Sequence, residues 1–404
     1  MIIYNPDRII LMRRLEKRTQ SDLAGMTGIS MAKISKIQNR IVAFSQKDAA
    51  KIAKEVDYPL SFFEMESRAT PPAELTYRRS SKTLIREINA VSAEYEIMSS
   101  TVNRIAEKLQ IKSRLGWIEE NAPIDQEPLP IERINSLAQL SRVNLGIPAK
   151  GPVTNVTRAL ERAGIAILPM RSSGEDSQYK ATSEGVTDPT LTVPVPVIGY
   201  LGRNNTGDRL RFTKAHELGH MVLHRNKRGL SRQQMEREAH QFAGAFLMPK
   251  ADAEAVFSKS SSIRTFIDVK AGWGMSISAL VMRVFALKLI DAQRVKSLQV
   301  QIAERGWRKH EPVSVTVESP LLFKQMMGKT YGTLPSPTQA IINSFTASNE
   351  LGIPFRYLDL WADGLQEEGA QLGFYEQRLN TPAPMTFNNQ IISSDHEETR
   401  FTHN

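Results

Sequence analysis

Apolar residues recur at three- and four-residue intervals over much of the chain, the period of helices packed on one face. Residues 7–18 place Ile9, Ile10, Met12 and Leu15 near one face, with Arg13, Arg14, Lys17 and Arg18 elsewhere. Thr19 is suited to cap a second helix over 20–26, Gly28 to turn the chain, and Ser30 to cap a third over 31–39. Ser45 followed by Asp48 predicts a fourth helix over 46–56. After a Pro-punctuated break at 67–72, Leu84, Ile88, Val91, Tyr95 and Met98 mark a long helix over about 80–109. Further helices are expected at 131–144 and from 152 to Ala163. Residues 164–169 read as a short buried strand. Residues 171–189 are polar and irregular in pattern. Residues 191–201 are strand-like but carry Pro194 and Pro196, which predicts a sheet-edge strand where a peptide can add. The expected fold class is mainly α with a small β-sheet, an α+β fold.

A chain of 404 residues exceeds one ordinary domain. Five regions are expected: residues 1–66, a small helical domain; 67–130, a linker and long helix; 131–250, a central domain; 251–310, a helical subdomain; and 311–404, a C-terminal region with no role assigned. The tail from 380 is expected to be disordered. An apolar fraction of 41% with 24% charged residues suits a globular protein. No run of eighteen apolar residues and no signal-like N-terminus is present, so a cytoplasmic protein without membrane contact is expected. With no cysteine, thiol nucleophiles and thiolate metal sites are excluded.

The net charge of +9 invites an acidic partner. Residues 1–56 hold eleven Lys/Arg against five Asp/Glu, a local +6. Short helix, Gly-containing turn, short helix is the plan of a helix-turn-helix, whose second helix fits the major groove of double-stranded DNA. The expected contacts are Met31, Ala32, Lys33, Ser35 and Lys36, with Gln20 and Arg40 on phosphates. The bland alternative is a helical bundle with a solvated basic surface. TQSDLAGMTGIS (19–30), ISKIQNR (34–40) and KIAKEVDYPLSFF (51–63) resemble the Xre, phage-repressor-like family. That resemblance implies a five-helix DNA-binding domain and a homodimer. Gln38-Asn39-Arg40 departs from the Glu-Asn-Gly usual there.

The stretch RFTKAHELGHMVLH (211–224) holds three of the seven histidines and an H-E-x-x-H pattern. Residues four apart share a helix face, so His216 and His220 can grip one ion while Glu217 lies beside it. Zinc acidifies water to a pKa of about 7, and a neighbouring carboxylate takes the proton. A catalytic zinc site needs a third protein ligand, and His224, Glu236, Glu238 and His240 are the nearby candidates. His224 lies about 12 Å further along the axis than His216, too far to share the ion. Spacing on a second helix capped by Ser231 and Gln234 favours Glu236 over Glu238 without deciding between them. His224 and His240 then suit contacts with the ligand residues rather than with the ion. The bland alternative is a polar-faced core helix next to an unrelated Glu.

RFTKAHELGHMVLH followed by EREAHQFAGAFLMP (236–249) is similar to the ImmA/IrrE family of zinc metallo-endopeptidases, a gluzincin-like group. GPVTNVTRALERAGIAI (151–167) and VKAGWGMSISALVMRVFALKLI (269–290) extend the resemblance, which with the Xre-like start covers about residues 5–310. It implies His216, His220 and Glu236 as ligands, Glu217 as general base, and a repressor protein as the cleaved substrate. His240 departs from the family, which usually has Asn there. Zn²⁺ is the expected cofactor, with Mn²⁺ the alternative. The competing reading is a transcription factor whose peptidase-like part is a non-catalytic sensor or dimerisation module. Loss of Glu217 would have favoured it.

Overall fold

Local signals set the N-terminal helices close to where the pattern predicts them. α1 (Asp7–Leu15) stops three residues short of the expected 18, at a turn where Lys17 adopts φ 52°. α2 (Gln20–Thr27) starts at a reciprocal cap: Asp22 N–H donates to Thr19 Oγ1 at 3.1 Å and Thr19 N–H to Asp22 Oδ2 at 2.8 Å. It ends at Gly28, whose φ of 60° suits a residue without Cβ. Ser30 caps α3 (Met31–Gln38) and Ser45 caps α4 (Gln46–Val56). The fifth turn is not an α-helix but the 3₁₀ segment Leu60–Glu64.

The computed structural model describes residues 3–66, 75–76, 85–171, 185–201, 206–226 and 228–368. α5 (Ile85–Lys108) buries Ile88, Val91, Tyr95 and Met98 as their spacing predicts; Leu84 lies outside the described residues. α6 (Gly116–Asn121), α7 (Ile131–Asn144) and α8 (Val156–Arg162) lead into a sheet of β1 (Ala166–Pro169), β2 (Gly185–Thr187) and β3 (Val197–Tyr200). α9 (Gly207–Leu223) and α10 (Arg232–Leu247) pack along each other, followed by α11 (Lys250–Val256), α12 (Ile263–Trp273), α13 (Ile277–Ala286) and α14 (Ala292–Glu304). The C-terminal region adds α15 (Leu322–Tyr331), β4 (Gly332–Ser336), β5 (Gln339–Ile342), α16 (Ser344–Leu351), α17 (Phe355–Trp361) and β6 (Gln366–Glu367). The fold is α+β, mainly helical, with two three-stranded sheets rather than one. No helix among the described residues is long and apolar enough to cross a membrane. The tail from 380 lies outside the described residues.

A further expectation is overturned. The stretch 191–201 does not form a sheet edge: β3 is the central strand, parallel to β1 and antiparallel to β2. Pro194 and Pro196 fall just before it, so they cost its ladder no donor. The edges are β1 and β2, the latter three residues inside the stretch read as irregular, too short to show a period.

That first sheet is buried on both faces, with alternate residues serving two cores. Leu168, Val186 and Val197 join Met98 of α5, the N-terminal Ile9, Met12, Phe62 and Phe63, and Phe323 and Trp361 from the C-terminal region. Ile167, Ile198 and Tyr200 face Leu218, Met221, Phe242, Phe246 and Leu280. A polar knot reinforces the first core: the Glu16 carboxylate accepts from Tyr58 Oη at 2.8 Å, Tyr357 Oη at 2.9 Å and Arg171 at 3.0 Å.

Candidate active site

α9 is buried along nearly its whole length although it reads GDRLRFTKAHELGHMVL; Arg209 alone is exposed. A buried charge is tolerated only with a partner, and each has one. Asp208 pairs with Lys270, and Arg211 pairs with Glu318 and donates to Val153 O at 2.6 Å. Lys214 donates to Thr157 Oγ1 at 2.5 Å and lies over the Tyr200 ring; burial pulls its pKa down to about 8. These pairs leave the other face of α9 to the histidines. α10 starts at the expected Ser231/Gln234 capping box. It approaches closely because Gly219 presents no side chain: a Cβ there would stand 2.9 Å from Phe242 Cδ1. Ala239 and Ala243, on the same helix as Glu236, are fully buried.

The two helices bring His216, His220 and Glu236 together. His216 Nε2 and His220 Nε2 are 3.1 Å apart, and Glu236 oxygens stand 3.4 Å from the first and 3.8 Å from the second. Glu238, two residues on, turns elsewhere. Its Oε2 is 3.2 Å from His224 Nε2 and 2.8 Å from Arg228, and its Oε1 accepts from Leu129 N–H at 2.6 Å. Burial works to raise the Glu238 pKa, but these donors outweigh it and hold the carboxyl below its ordinary range. His224 Nδ1 in turn lies 2.9 Å from His220 Nδ1. One proton order satisfies this row: His220 Nδ1–H donates to His224 Nδ1, and His224 Nε2–H to Glu238. It leaves the His220 Nε2 lone pair directed at His216 and Glu236. Burial, reinforced by the neighbouring His216 and His224, pushes the His220 pKa well down, so the ring is neutral, as a metal ligand must be.

His240 comes closer to this cluster than a residue that only supports it. A nitrogen of its ring, one of His216 and a Glu236 oxygen all lie within 4.8 Å of one another. Two overlapping trios thus share His216 and Glu236. We favour the trio with His220, because His220 is buried and oriented by His224, whereas His240 is exposed at the rim. His240 Nδ1 bonds Glu236 O at 2.8 Å, which leaves Nε2 as its remaining ring nitrogen. Two buried imidazole nitrogens and one half-buried carboxylate, without thiolate, suit zinc of the catalytic type, whose fourth position is open. His216 Nδ1, buried with no hydrogen-bond partner among the described residues, adds a polar atom the fold leaves unexplained.

Glu217 is 1% exposed. Burial raises its pKa to about 7, with Glu236 adding to the rise, while His216 and a hydrogen bond from Thr76 oppose it. A cation held by the neighbouring rings would pull it back. Gly185 of β2 lies against this carboxylate, since a Cβ there would stand 2.5 Å from Glu217 Oε1. Arg228 and Thr76 escaped the sequence reading. Neither stands in a periodic pattern, and Thr76 contacts Glu217 across 141 residues.

The residues singled out on α2 and α3 stand apart from this site. Met31, Ala32, Lys33, Lys36 and Arg40 are exposed and Ser35 is half-buried. Lys33 Nζ donates to Asp48 at 2.6 Å and Arg40 to Asp7 at 2.8 Å. Gln20 is not turned outward alone: its amide bonds the Gln38 side chain.

Residues 160–285, from the end of α8 through α13, match the model of peptidase family M78, the IrrE N-terminal-like domain. The match spans β1–β3, α9 and α10. No curated protein matches the chain.

Proposed function

We propose that this chain is a metal-dependent endopeptidase joined to a DNA-binding helix-turn-helix, and that it cleaves a repressor protein. The observation that carries the peptidase reading is the convergence of His216 Nε2, His220 Nε2 and the Glu236 carboxylate beside the buried Glu217. The M78-type match over the same residues supports it. When held by His216, His220 and Glu236, a zinc ion supplies Lewis-acid polarisation of a peptide carbonyl oxygen.

The remaining work falls to the chain. Glu217, with its pKa raised by burial, takes a proton from the attacking water and returns it to the amine as the C–N bond breaks. The row His220, His224, Glu238 and Arg228 fixes the orientation of one imidazole. The DNA-binding reading rests on the exposed N-terminal end of α3 and the local positive charge. The repressor substrate and a homodimer rest on family resemblance alone.

Metal analysis paired with a cleavage assay on a co-encoded repressor tests the enzyme reading. Glu217→Gln is expected to keep the metal and lose about 10²–10⁴-fold in cleavage rate. Metal without cleavage in either form favours the sensor reading. Cleavage unaffected by the substitution would overturn the role of Glu217.

A further inference from the structure

β2 lies at a sheet edge, so one row of its backbone groups faces away from β3, where a further strand can pair. The chain itself uses that row. Thr76 N–H donates to Thr187 O at 3.1 Å, and Thr187 N–H donates to Thr76 Oγ1 at 2.9 Å. The Thr76 hydroxyl has one proton to give, and the nearest acceptor is Glu217 Oε2 at 2.7 Å; Thr187 O is further, at 3.2 Å. Arg232 of α10 reaches Thr76 O at 3.3 Å, and Leu75 is buried with Val186 and Val197 in the first core. Two consecutive residues therefore bridge the sheet edge, the base carboxylate and the second helix of the site.

We propose that residues 75 and 76 are an inhibitory occupant of the groove that an extended substrate peptide must enter, and that turnover requires their withdrawal. The inference rests on the peptidase reading above. Two features mark an occupant rather than a peptide seated for cleavage. The base oxygen meets a hydroxyl, which takes the place of the water it would deprotonate. The Thr76 carbonyl is already taken by Arg232, which donates to it at 3.3 Å. A substrate strand pairing with β2 competes for the Thr187 groups that Thr76 already uses.

The test uses the full chain, with and without added Zn²⁺. Residue-resolved hydrogen exchange reads the Thr76 and Thr187 amides. Fluorescence anisotropy reads binding of a labelled peptide AELTYR, the sequence of residues 73–78. An occupant seated nine-tenths of the time lowers apparent affinity about tenfold. Both amides are expected to be protected in the wild type. Leu75→Asp is expected to expose both and to tighten peptide binding about tenfold or more. Thr76→Val keeps the side-chain shape, removes only the hydroxyl, and is expected to expose Thr187; it serves where Leu75→Asp does not fold. Equal peptide binding by wild type and variants, or unprotected amides in the wild type, overturns the proposal. So does a wild-type chain cut between residues 66 and 85 and spared by Glu217→Gln, because the segment would then be a substrate. Neither readout requires turnover: protected amides and an excluded peptide in a chain that cleaves nothing would keep the occupant and sink the peptidase.

Discussion

Two helix pairs in this molecule are built alike and behave differently. α2 and α3 carry most of their polar side chains outward, where Lys33 and, just after α3, Arg40 each meet a single carboxylate. α9, with Glu238 of α10, carries most of its polar groups inward, where the majority are aimed at another. A buried polar group without a partner costs about 1–3 kcal/mol, so the interior pair is held to one arrangement. A solvated lysine pays no such cost, and its role is fixed only when a partner arrives.

The comparison is broken most forcefully at the two carboxylates of α10. Glu236→Ala is expected to abolish stoichiometric metal retention, whereas Glu238→Gln, which removes the charge facing Arg228 and loosens the orientation of His224 and His220, is expected to weaken metal affinity about 10–100-fold. Competition with a chelator measures both. Equal losses would erase the distinction between a carboxylate facing the imidazoles and one behind them.

Burial that outweighs a nearby arginine makes an intermediate case at Glu94. Burial raises its pKa to about 7, only partly opposed by the Arg171 N–H and the Trp361 indole N–H. The neutral acid is therefore the form the fold favours. Its stabilising contribution is complete below the unfolded value near 4.5 and is lost as pH rises to about 7. Glu94→Gln, which mimics the neutral acid, should match the wild type near pH 4.5 and exceed it at pH 8 by about 2–3 kcal/mol. Thermal unfolding across that pH range checks it, and a constant difference would mean that Glu94 does not titrate there.

At the exposed pair the effect on folding is smallest. Lys33→Ala breaks a bridge whose lysine side chain is 45% exposed, and is expected to change stability by less than about 1 kcal/mol. If Lys33 meets a phosphate, the same substitution lowers the salt slope of duplex DNA binding by about one. An unchanged slope removes Lys33 from the DNA contacts.

Much of the fold was legible. Thr19, Ser30, Ser45 and Ser231 announce helix starts because a cap bonds a backbone group two or three residues away. β2 was missed because three residues carry no period, and the edge assigned to 191–201 was wrong because proline-bearing residues precede β3 rather than belong to it. The second sheet was missed for a related reason: β4 and β5 are short and partly exposed, so apolar alternation is weak in them.

The sequence alone determined that two imidazoles four residues apart share one helix face and that a carboxylate-bearing helix follows. Both are properties of neighbouring residues and of the 3.6-residue turn. Only the tertiary structure decided that Glu236 rather than Glu238 faces those rings, that His224 closes the row behind them, and that Thr76 reaches Glu217. Such choices depend on how one helix is rotated against another and where a residue distant in sequence docks. Those are set by the summed packing of both cores, which no short window of residues contains.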